Sequence, residues 1–263
     1  MKVVLLCGGL GTRLREETEF KPKPMVEVGG KPLLWHIMKI FATHGFRDFV
    51  LCLGYKGDVI KDFFYNYELR TSDVTLTLGA SKSIAFHNTS GEHDWKVTLV
   101  DTGKDAQTGA RVKRIAKYLD NEPFFLTYGD GVSDIDISTL LKFHKEQGKI
   151  GTVTGIFPSS RFGHLSTQGH LVSSFNEKPR VAGELINGGF FVFRPEFLEY
   201  LSLEDECVLE GAPLARLSKN RELAVYEHKG FWHCMDTYRD FQKLNELWDG
   251  RQAPWKVWED AEK

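Results

Sequence analysis

The run Leu6-Cys7-Gly8-Gly9-Leu10-Gly11-Thr12-Arg13-Leu14 constrains this chain more than any other stretch. A short apolar strand feeds straight into a glycine-rich loop that ends on an arginine. Glycine carries no Cβ, so the backbone can turn sharply and come close to a ligand. Successive loop N–H groups can then face an anion, and an arginine adds a planar fork of donors suited to phosphate. The loop reads as a cradle for the phosphates of a nucleotide.

Two other glycine loops are excluded. The dinucleotide fingerprint needs a third glycine three residues after the second and a helix behind it. Here Leu14 occupies that position, and Lys21-Pro22-Lys23-Pro24 prevents a long helix from following. A P-loop ends in Gly-Lys-Ser/Thr, whereas Gly30-Lys31-Pro32 lacks the hydroxyl. A plain strand-to-loop turn also satisfies the glycines alone. The basic residues Arg13, Lys21 and Lys23 tilt the reading toward anion binding.

The rest of the chain fits a helix-covered sheet. Val3–Cys7, Phe49–Leu53 and Phe124–Tyr128 read as buried strands, and Val74–Leu78 and Val97–Val100 as further ones. Leu34, Ile37, Met38 and Phe41 recur at helical spacing, which predicts a helix over about 34–44. A second helix is expected near 59–65. The alternation predicts an α/β fold with a largely parallel sheet, whose ligand crevice lies beyond the carboxyl ends of the strands. Both the glycine loop and Gly129-Asp130-Gly131 follow such strands directly. From Lys149 onward the pattern is less regular, with strands expected at 152–157, 171–175, 190–193 and 223–226 and a closing helix over about 237–248. No proline- or serine-rich linker divides the chain, so the two halves are expected to share one sheet.

At 263 residues the chain can bury a full core. Its net charge of −2 supplies no general field for nucleic acid. No stretch has the length and apolarity of a membrane span, and the apolar run before Gly8 is too short for a signal peptide. The expectation is a cytoplasmic protein with neither a nucleic-acid nor a membrane partner. Cys7, Cys52, Cys207 and Cys234 show no paired spacing and are expected to be free thiols.

Several polar residues could carry chemistry. Asp130 between two glycines is either a turn aspartate or an oxygen ligand for Mg²⁺. Asp236 is either the N-cap of the closing helix or a second ligand. Spacing alone does not say whether they meet. Glu177 and Lys178 end one strand-like run, and Asn187-Gly188-Gly189 precedes another; both segments could receive a phosphorylated sugar or be polar strand ends and a turn. Arg111 and Arg114 could contact a ligand or form a solvated basic helix face. The histidines show no helix-face metal spacing, and there is no Gly-x-Ser-x-Gly elbow for a hydrolase.

Taken together these residues resemble the sugar nucleotidyltransferase family, whose mark is Gly-Gly-x-Gly-Thr-Arg-Leu followed by a Lys-Pro segment. The similarity runs over essentially the whole length, through Lys21-Pro22-Lys23-Pro24-Met25, Leu34-Trp35-His36-Ile37-Met38, Gly54-Tyr55-Lys56-Gly57, Val100-Asp101-Thr102-Gly103, Thr127-Tyr128-Gly129-Asp130-Gly131, Glu177-Lys178-Pro179, Asn187-Gly188-Gly189-Phe190-Phe191 and Met235-Asp236-Thr237. The Lys-Pro-Lys-Pro-Met, Leu-Trp-His-Ile-Met and Val-Asp-Thr-Gly blocks are more specific to the cytidylyl branch.

The resemblance implies a Rossmann-like, mostly parallel mixed sheet flanked by helices, with a smaller β-rich portion for the sugar. It implies one domain over 1–263, with a nucleotide-binding half to about 148 and a sugar-phosphate half from about 149. It implies transfer of a cytidylyl group from CTP to glucose 1-phosphate with Mg²⁺, in a homo-oligomer, at the entry to dideoxyhexoses of surface polysaccharides. Nucleotide contacts would come from Leu6, Gly8, Gly9, Leu10, Gly11, Thr12, Arg13, Lys23, Arg111 and Gly129, with Arg13, Lys23 and Lys178 at the reacting phosphates. Asp130 and Asp236 would hold the metal, and Tyr128, Glu177, Lys178, Asn187 and Gly188 the sugar phosphate. An ionised phosphate nucleophile needs no general base, which agrees with the missing Ser/His machinery. Cys7 replaces a common alanine, Ala110 a glycine, and the segments 161–166 and His233-Cys234 also differ from the usual residues. The alternatives are another acceptor or nucleotide, or a non-catalytic sensor of sugar nucleotides.

Overall fold

The computed structural model describes residues 1–87, 92, 94–157, 164–176 and 185–259. In chain order the elements begin with β1 (Val3–Cys7), α1 (Arg15–Thr18), the short strands β2 (Glu27–Val28) and β3 (Lys31–Pro32), α2 (Leu33–Thr43) and β4 (Asp48–Leu53). Next come α3 (Gly57–Tyr65), α4 (Tyr67–Thr71), β5 (Asp73–Thr77), β6 (Ser83–His87), β7 (Lys96–Asp101), α5 (Thr108–Arg114), β8 (Phe124–Tyr128) and β9 (Gly131–Ser133). The remainder is α6 (Ile137–Gln147), β10 (Gly151–Ile156), β11 (His164–Gln168), β12 (Leu171–Asn176), β13 (Ile186–Asn187), β14 (Phe191–Phe193), α7 (Ala212–Lys219), β15 (Leu223–His228), β16 (Trp232–Cys234) and α8 (Tyr238–Asp249).

Among the described residues one eight-stranded sheet spans both halves of the chain, in the order β13-β10-β14-β8-β1-β4-β7, with β15 also on β10. The strands β8, β1, β4 and β7 are mutually parallel, and β14 joins β8 antiparallel. β15 runs parallel along the whole of β10, so β13 and β14 share the opposite edge of that strand. From β1 the chain moves outward to β4 and β7 and then returns to the other side of β1 as β8. The strand order therefore reverses between β1 and β8, and in such sheets the ligand crevice opens at that point.

β1 shows why it lies at the centre. All five residues are buried. Val3, Leu5 and Cys7 pack with α2 on one face, while Val4 and Leu6 pack with Val112, Phe191 and Phe197 on the other. A strand buried on both sides reads as a continuous apolar run. The helix expected over about 34–44 is α2, whose residues 33–38 are all buried. Gly29 and Gly30 take φ of 58° and 75° in the tight turn between β2 and β3. Positive φ at both central residues is what such a two-residue hairpin requires, and it confirms that this Gly-Gly-Lys is not a phosphate loop.

The strand expected at Val74–Leu78 is β5 (Asp73–Thr77), but among the described residues it pairs only with β6, and most of both strands is exposed. This hairpin stands off the central sheet. The four cysteines are free, with Cys7 and Cys52 buried and Cys207 and Cys234 half-buried.

Candidate nucleotide and metal site

At the reversal point a cavity of about 490 Å³ is lined by Leu6 to Thr12, Lys23, Pro24, Lys104 to Thr108, Arg111, Tyr128, Gly129, Asp130 and Asp236. Most residues expected at the nucleotide therefore gather in one place. The loop is shaped by its own hydrogen bonds. Gly11 has φ of 64°, and its carbonyl accepts from Leu14 N and Thr18 Oγ1, both at 3.0 Å. Gly129 N donates to Leu6 O at 3.0 Å, which ties the ends of β1 and β8 together. Instead of a long helix, only the helical turn Thr12–Leu14 and the four-residue α1 follow the loop. The backbone of Arg13 lies in that turn; its side chain, like Glu177 and Lys178 entirely, lies outside the described residues.

Arg111 is not part of a solvated basic face. It is 4% exposed, and its guanidinium donates to the carbonyls of Leu53, Gly103, Gly8 and Lys104 and to Thr102 Oγ1. Gly8 and Gly54 are glycine because a Cβ at either would fall 2.2 Å or 2.5 Å from that guanidinium. Burial presses the Arg111 pKa downward. Its charge rests on carbonyl dipoles under the loop, a setting that an added anion would complement.

The two acids meet. Gly131 and Cys234 are paired across β9 and β16, and Met235 N donates to Asp130 O at 2.8 Å. That register places Asp130 and Asp236 at the same end of the ribbon. Lys23, carried by the helical turn Lys23–Met25, reaches between them, with Nζ 2.8 Å from Asp130 Oδ2 and 2.5 Å from Asp236 Oδ1. Burial presses the Lys23 ammonium down, but the Asp130 charge and the hydrogen bonds to Asp130 and Asp236, with Cys234, together outweigh it and leave the pKa raised. The N-cap of α8 is Thr237, not Asp236, in a capping box with Asp240. The Asp240 carboxylate also accepts from Asp236 N at 3.2 Å, which fixes the backbone of that acid.

Asp130, Cys234 and Asp236 each bring a ligand atom within 4.8 Å of the others. Burial, reinforced by Asp130, pushes the Cys234 thiol up. Two carboxylates that are 30% and 22% exposed suit a hard, hydrated cation such as Mg²⁺.

On the β13 side of the cavity, Tyr128 lines the wall and its phenol oxygen accepts from Asn187 Nδ2 at 3.0 Å. Asn187 Oδ1 accepts from Gly189 N, and Gly188 O accepts from Trp232 Nε1. Sequence reasoning missed Pro24 and the wall from Lys104 to Thr108. The Asp101-Thr102-Gly103 block that precedes them was the available signal.

The family model described as nucleotidyl transferase matches residues 2–250. Glucose-1-phosphate cytidylyltransferase of Salmonella typhi is 52% identical over 260 residues, covering 98% of this chain and 100% of that protein. A probable glucose-1-phosphate cytidylyltransferase of Bacillus subtilis is 43% identical over 98% of this chain and its own full length. Among solved structures, a putative glucose-1-phosphate thymidylyltransferase from Bacillus anthracis superposes with a TM-score of 0.68 at 18% identity, covering 99% of this chain and 98% of that one. A UDP-glucose pyrophosphorylase complexed with UDP-glucose gives 0.68 at 16% identity, covering 95% and 98%. At those identities the structural likenesses speak for the fold. The sheet, the site and the matched length agree: this chain belongs to the nucleotidyl transferase family.

Proposed function

We propose that this chain transfers a cytidylyl group from CTP to α-D-glucose 1-phosphate, forming CDP-glucose and pyrophosphate. The observation that carries the reading is the convergence of Lys23, Asp130 and Asp236 at the mouth of the Gly8–Thr12 loop. The near-full-length likeness to glucose-1-phosphate cytidylyltransferases supports the choice of substrates.

In the reaction a phosphate oxygen of the sugar phosphate attacks the α-phosphorus of CTP. A new P–O bond forms as the bond from the α-phosphorus to the bridging oxygen breaks, and the electron pair leaves with pyrophosphate. Both reactants are anionic, so the protein must align them and offset their repulsion. Leu6, Gly8, Gly9, Leu10, Gly11, Thr12 and Gly129 position the nucleotide, with Arg13 on the triphosphate. Arg111 holds the loop in shape from beneath while adding positive charge below the phosphates. Lys23 neutralises charge at the reacting centre. Tyr128, Glu177, Lys178, Asn187 and Gly188 receive the sugar phosphate, with Lys178 on its phosphate. Asp130 and Asp236 would hold Mg²⁺, which when bound would supply further positive charge for the phosphoryl oxygens.

In this reading residues 1–148 form the nucleotide half of one domain and 149–263 the sugar half. The enzyme works as a cytoplasmic homo-oligomer and feeds the making of dideoxyhexoses for surface polysaccharides. Among the described residues no helix is long and apolar enough to cross a membrane. The test is a matrix of nucleoside triphosphates against hexose 1-phosphates with Mg²⁺, read as pyrophosphate release. The CTP and glucose 1-phosphate pair gives the highest kcat/KM; release with no pair defeats the reading.

A further inference from the structure

Glu210 precedes α7, far in sequence from the loop and from the metal carboxylates. Its two carboxylate oxygens are divided between two walls of the site. Oε2 accepts from Thr108 Oγ1 at 2.7 Å, and Oε1 accepts from Tyr128 OH at 2.5 Å. The phenol oxygen in turn accepts from Asn187 Nδ2 at 3.0 Å. Thr108 begins α5, the helix that carries Arg111, and both Thr108 and Tyr128 line the cavity. Asn187 lies in β13, on the sugar-facing side.

The segment that brings Glu210 to this point is itself strapped onto α5. Gln107 N donates to Asp205 O at 2.8 Å, Ala110 N to Cys207 O at 3.0 Å and Leu209 N to Thr108 Oγ1 at 2.9 Å. Gly109 is close to this strap, since a Cβ there would lie 2.7 Å from Cys207 Sγ. The carboxylate is therefore held in place by its two hydroxyl partners although the residue as a whole is exposed.

An exposed acid beside an anion site carries an electrostatic cost, because it repels incoming phosphate. A carboxylate nevertheless has a property that other side chains here would lack. It offers two acceptor oxygens and no donor, so it satisfies two hydroxyl donors at once. Charge-assisted O–H···O⁻ bonds are also the stronger kind. With its proton committed to Glu210, the Tyr128 oxygen is left to accept from Asn187. The chain Thr108–Glu210–Tyr128–Asn187 thus runs unbroken from the nucleotide wall to the sugar side.

We propose that Glu210 is a positioning residue that joins the Thr108 wall of the nucleotide pocket to the Tyr128–Asn187 pair, so that both substrates engage one connected frame. The proposal rests on the functional reading above for what occupies the two sides. It assigns Glu210 no contact with the reacting atoms.

The test is a double-mutant cycle on the full-length protein with Glu210→Ala, Tyr128→Phe and the combined variant, together with Glu210→Gln. Glu210→Ala raises KM for both CTP and glucose 1-phosphate roughly fivefold, with Tm held close to the parent because the side chain is exposed. The combined variant loses less toward glucose 1-phosphate than the two single losses taken together, and Glu210→Gln restores part of the loss through its one acceptor oxygen. Unchanged KM values, additive losses, or a fall in Tm with unchanged KM overturn the proposal. Amide hydrogen exchange of Glu210→Ala reads the bridge without turnover. Faster exchange at both 107–111 and 186–190 supports it, and a change confined to 205–212 overturns it. An inactive parent protein defeats the functional reading and leaves the exchange test to decide the bridge.

Discussion

The ammonium of Lys23 lies 2.5 Å from Oδ1 of Asp236, a residue 213 positions away in the chain. The contact depends on the β9–β16 register, which sets Asp236 beside Asp130 at the mouth of the loop. Lys23 and the two acids thereby form one electrostatic unit, in which removing Lys23 leaves two carboxylates facing each other without a cation between them.

Substituting either acid tests that unit. Asp130→Asn and Asp236→Asn each lower kcat about a hundredfold or more, because a neutral amide is a poor ligand for a hard cation. Both variants keep the native circular dichroism spectrum, since each acid stays partly exposed. Titrating Mg²⁺ into the variants and following bound metal directly separates lost metal affinity from lost folding. Near-normal turnover in both contradicts a metal role.

Arg111→Met removes a buried guanidinium that donates to the carbonyls of Gly8, Leu53, Gly103 and Lys104, of which Leu53 O keeps Thr102 N and Oγ1 and Gly8 O keeps Tyr55 N as donors. Leaving the Gly103 and Lys104 carbonyls without this donor costs about 3 kcal/mol, or roughly 6–12 °C in Tm for a chain of this size. The nucleotide KM rises as well. An unchanged melting temperature shows that Arg111 does not support the loop.

The same packing makes Gly8 intolerant of a side chain. Its Cβ would fall 2.2 Å from Arg111 Cζ, whereas nothing lies within 4 Å of a Cβ at Gly9. Gly8→Ala loses stability by about 2 kcal/mol and Gly9→Ala by much less. Urea denaturation of the two variants checks the ordering, and equal losses refute it.

The loop, the Asp130 turn and the main strands were legible because each depends on local chemistry. Glycines beside an apolar run and an acid between glycines announce themselves at short range. Asp236 was legible only as a candidate, because its meeting with Asp130 comes from a strand pairing that neighbouring residues do not encode. Arg111 was legible at the nucleotide only through the resemblance; the same distance hid its place beneath the loop, which shows only when Gly8 and Gly54 are seen to make room for it. Glu210 was invisible for that reason too. Its partners Thr108 and Tyr128 are 102 and 82 residues away. Strand propensity found β5 but could not tell that, among the described residues, it pairs only with β6, since a hairpin and a sheet edge share the same residues.

Buried histidine governs the acid limit of stability. His36 is fully buried, with Nε2 donating to Val28 O at 2.8 Å and Nδ1 accepting from Trp255 Nε1 at 3.4 Å. Both nitrogens are used by the neutral ring, and burial lowers its pKa from 6.5 to about 4. The folded state therefore binds fewer protons than the unfolded state between those values. This contribution is fully present above pH 6.5 and declines as pH falls toward 4, by about 3 kcal/mol in all. Burial lowers His144 to about 4 as well, with the same sign. Urea midpoints measured from pH 7 to 4 fall accordingly. A flat profile across that window contradicts the buried neutral tautomer.

The most direct test of the central claim follows the phosphorus atoms. CTP labelled at the α-phosphorus in one sample and at the γ-phosphorus in another is incubated with the protein, Mg²⁺ and glucose 1-phosphate. Attack on the α-phosphorus predicts α-label in CDP-glucose and γ-label in pyrophosphate. Label that remains in CTP, or γ-label that appears as inorganic monophosphate, contradicts cytidylyl transfer at this site.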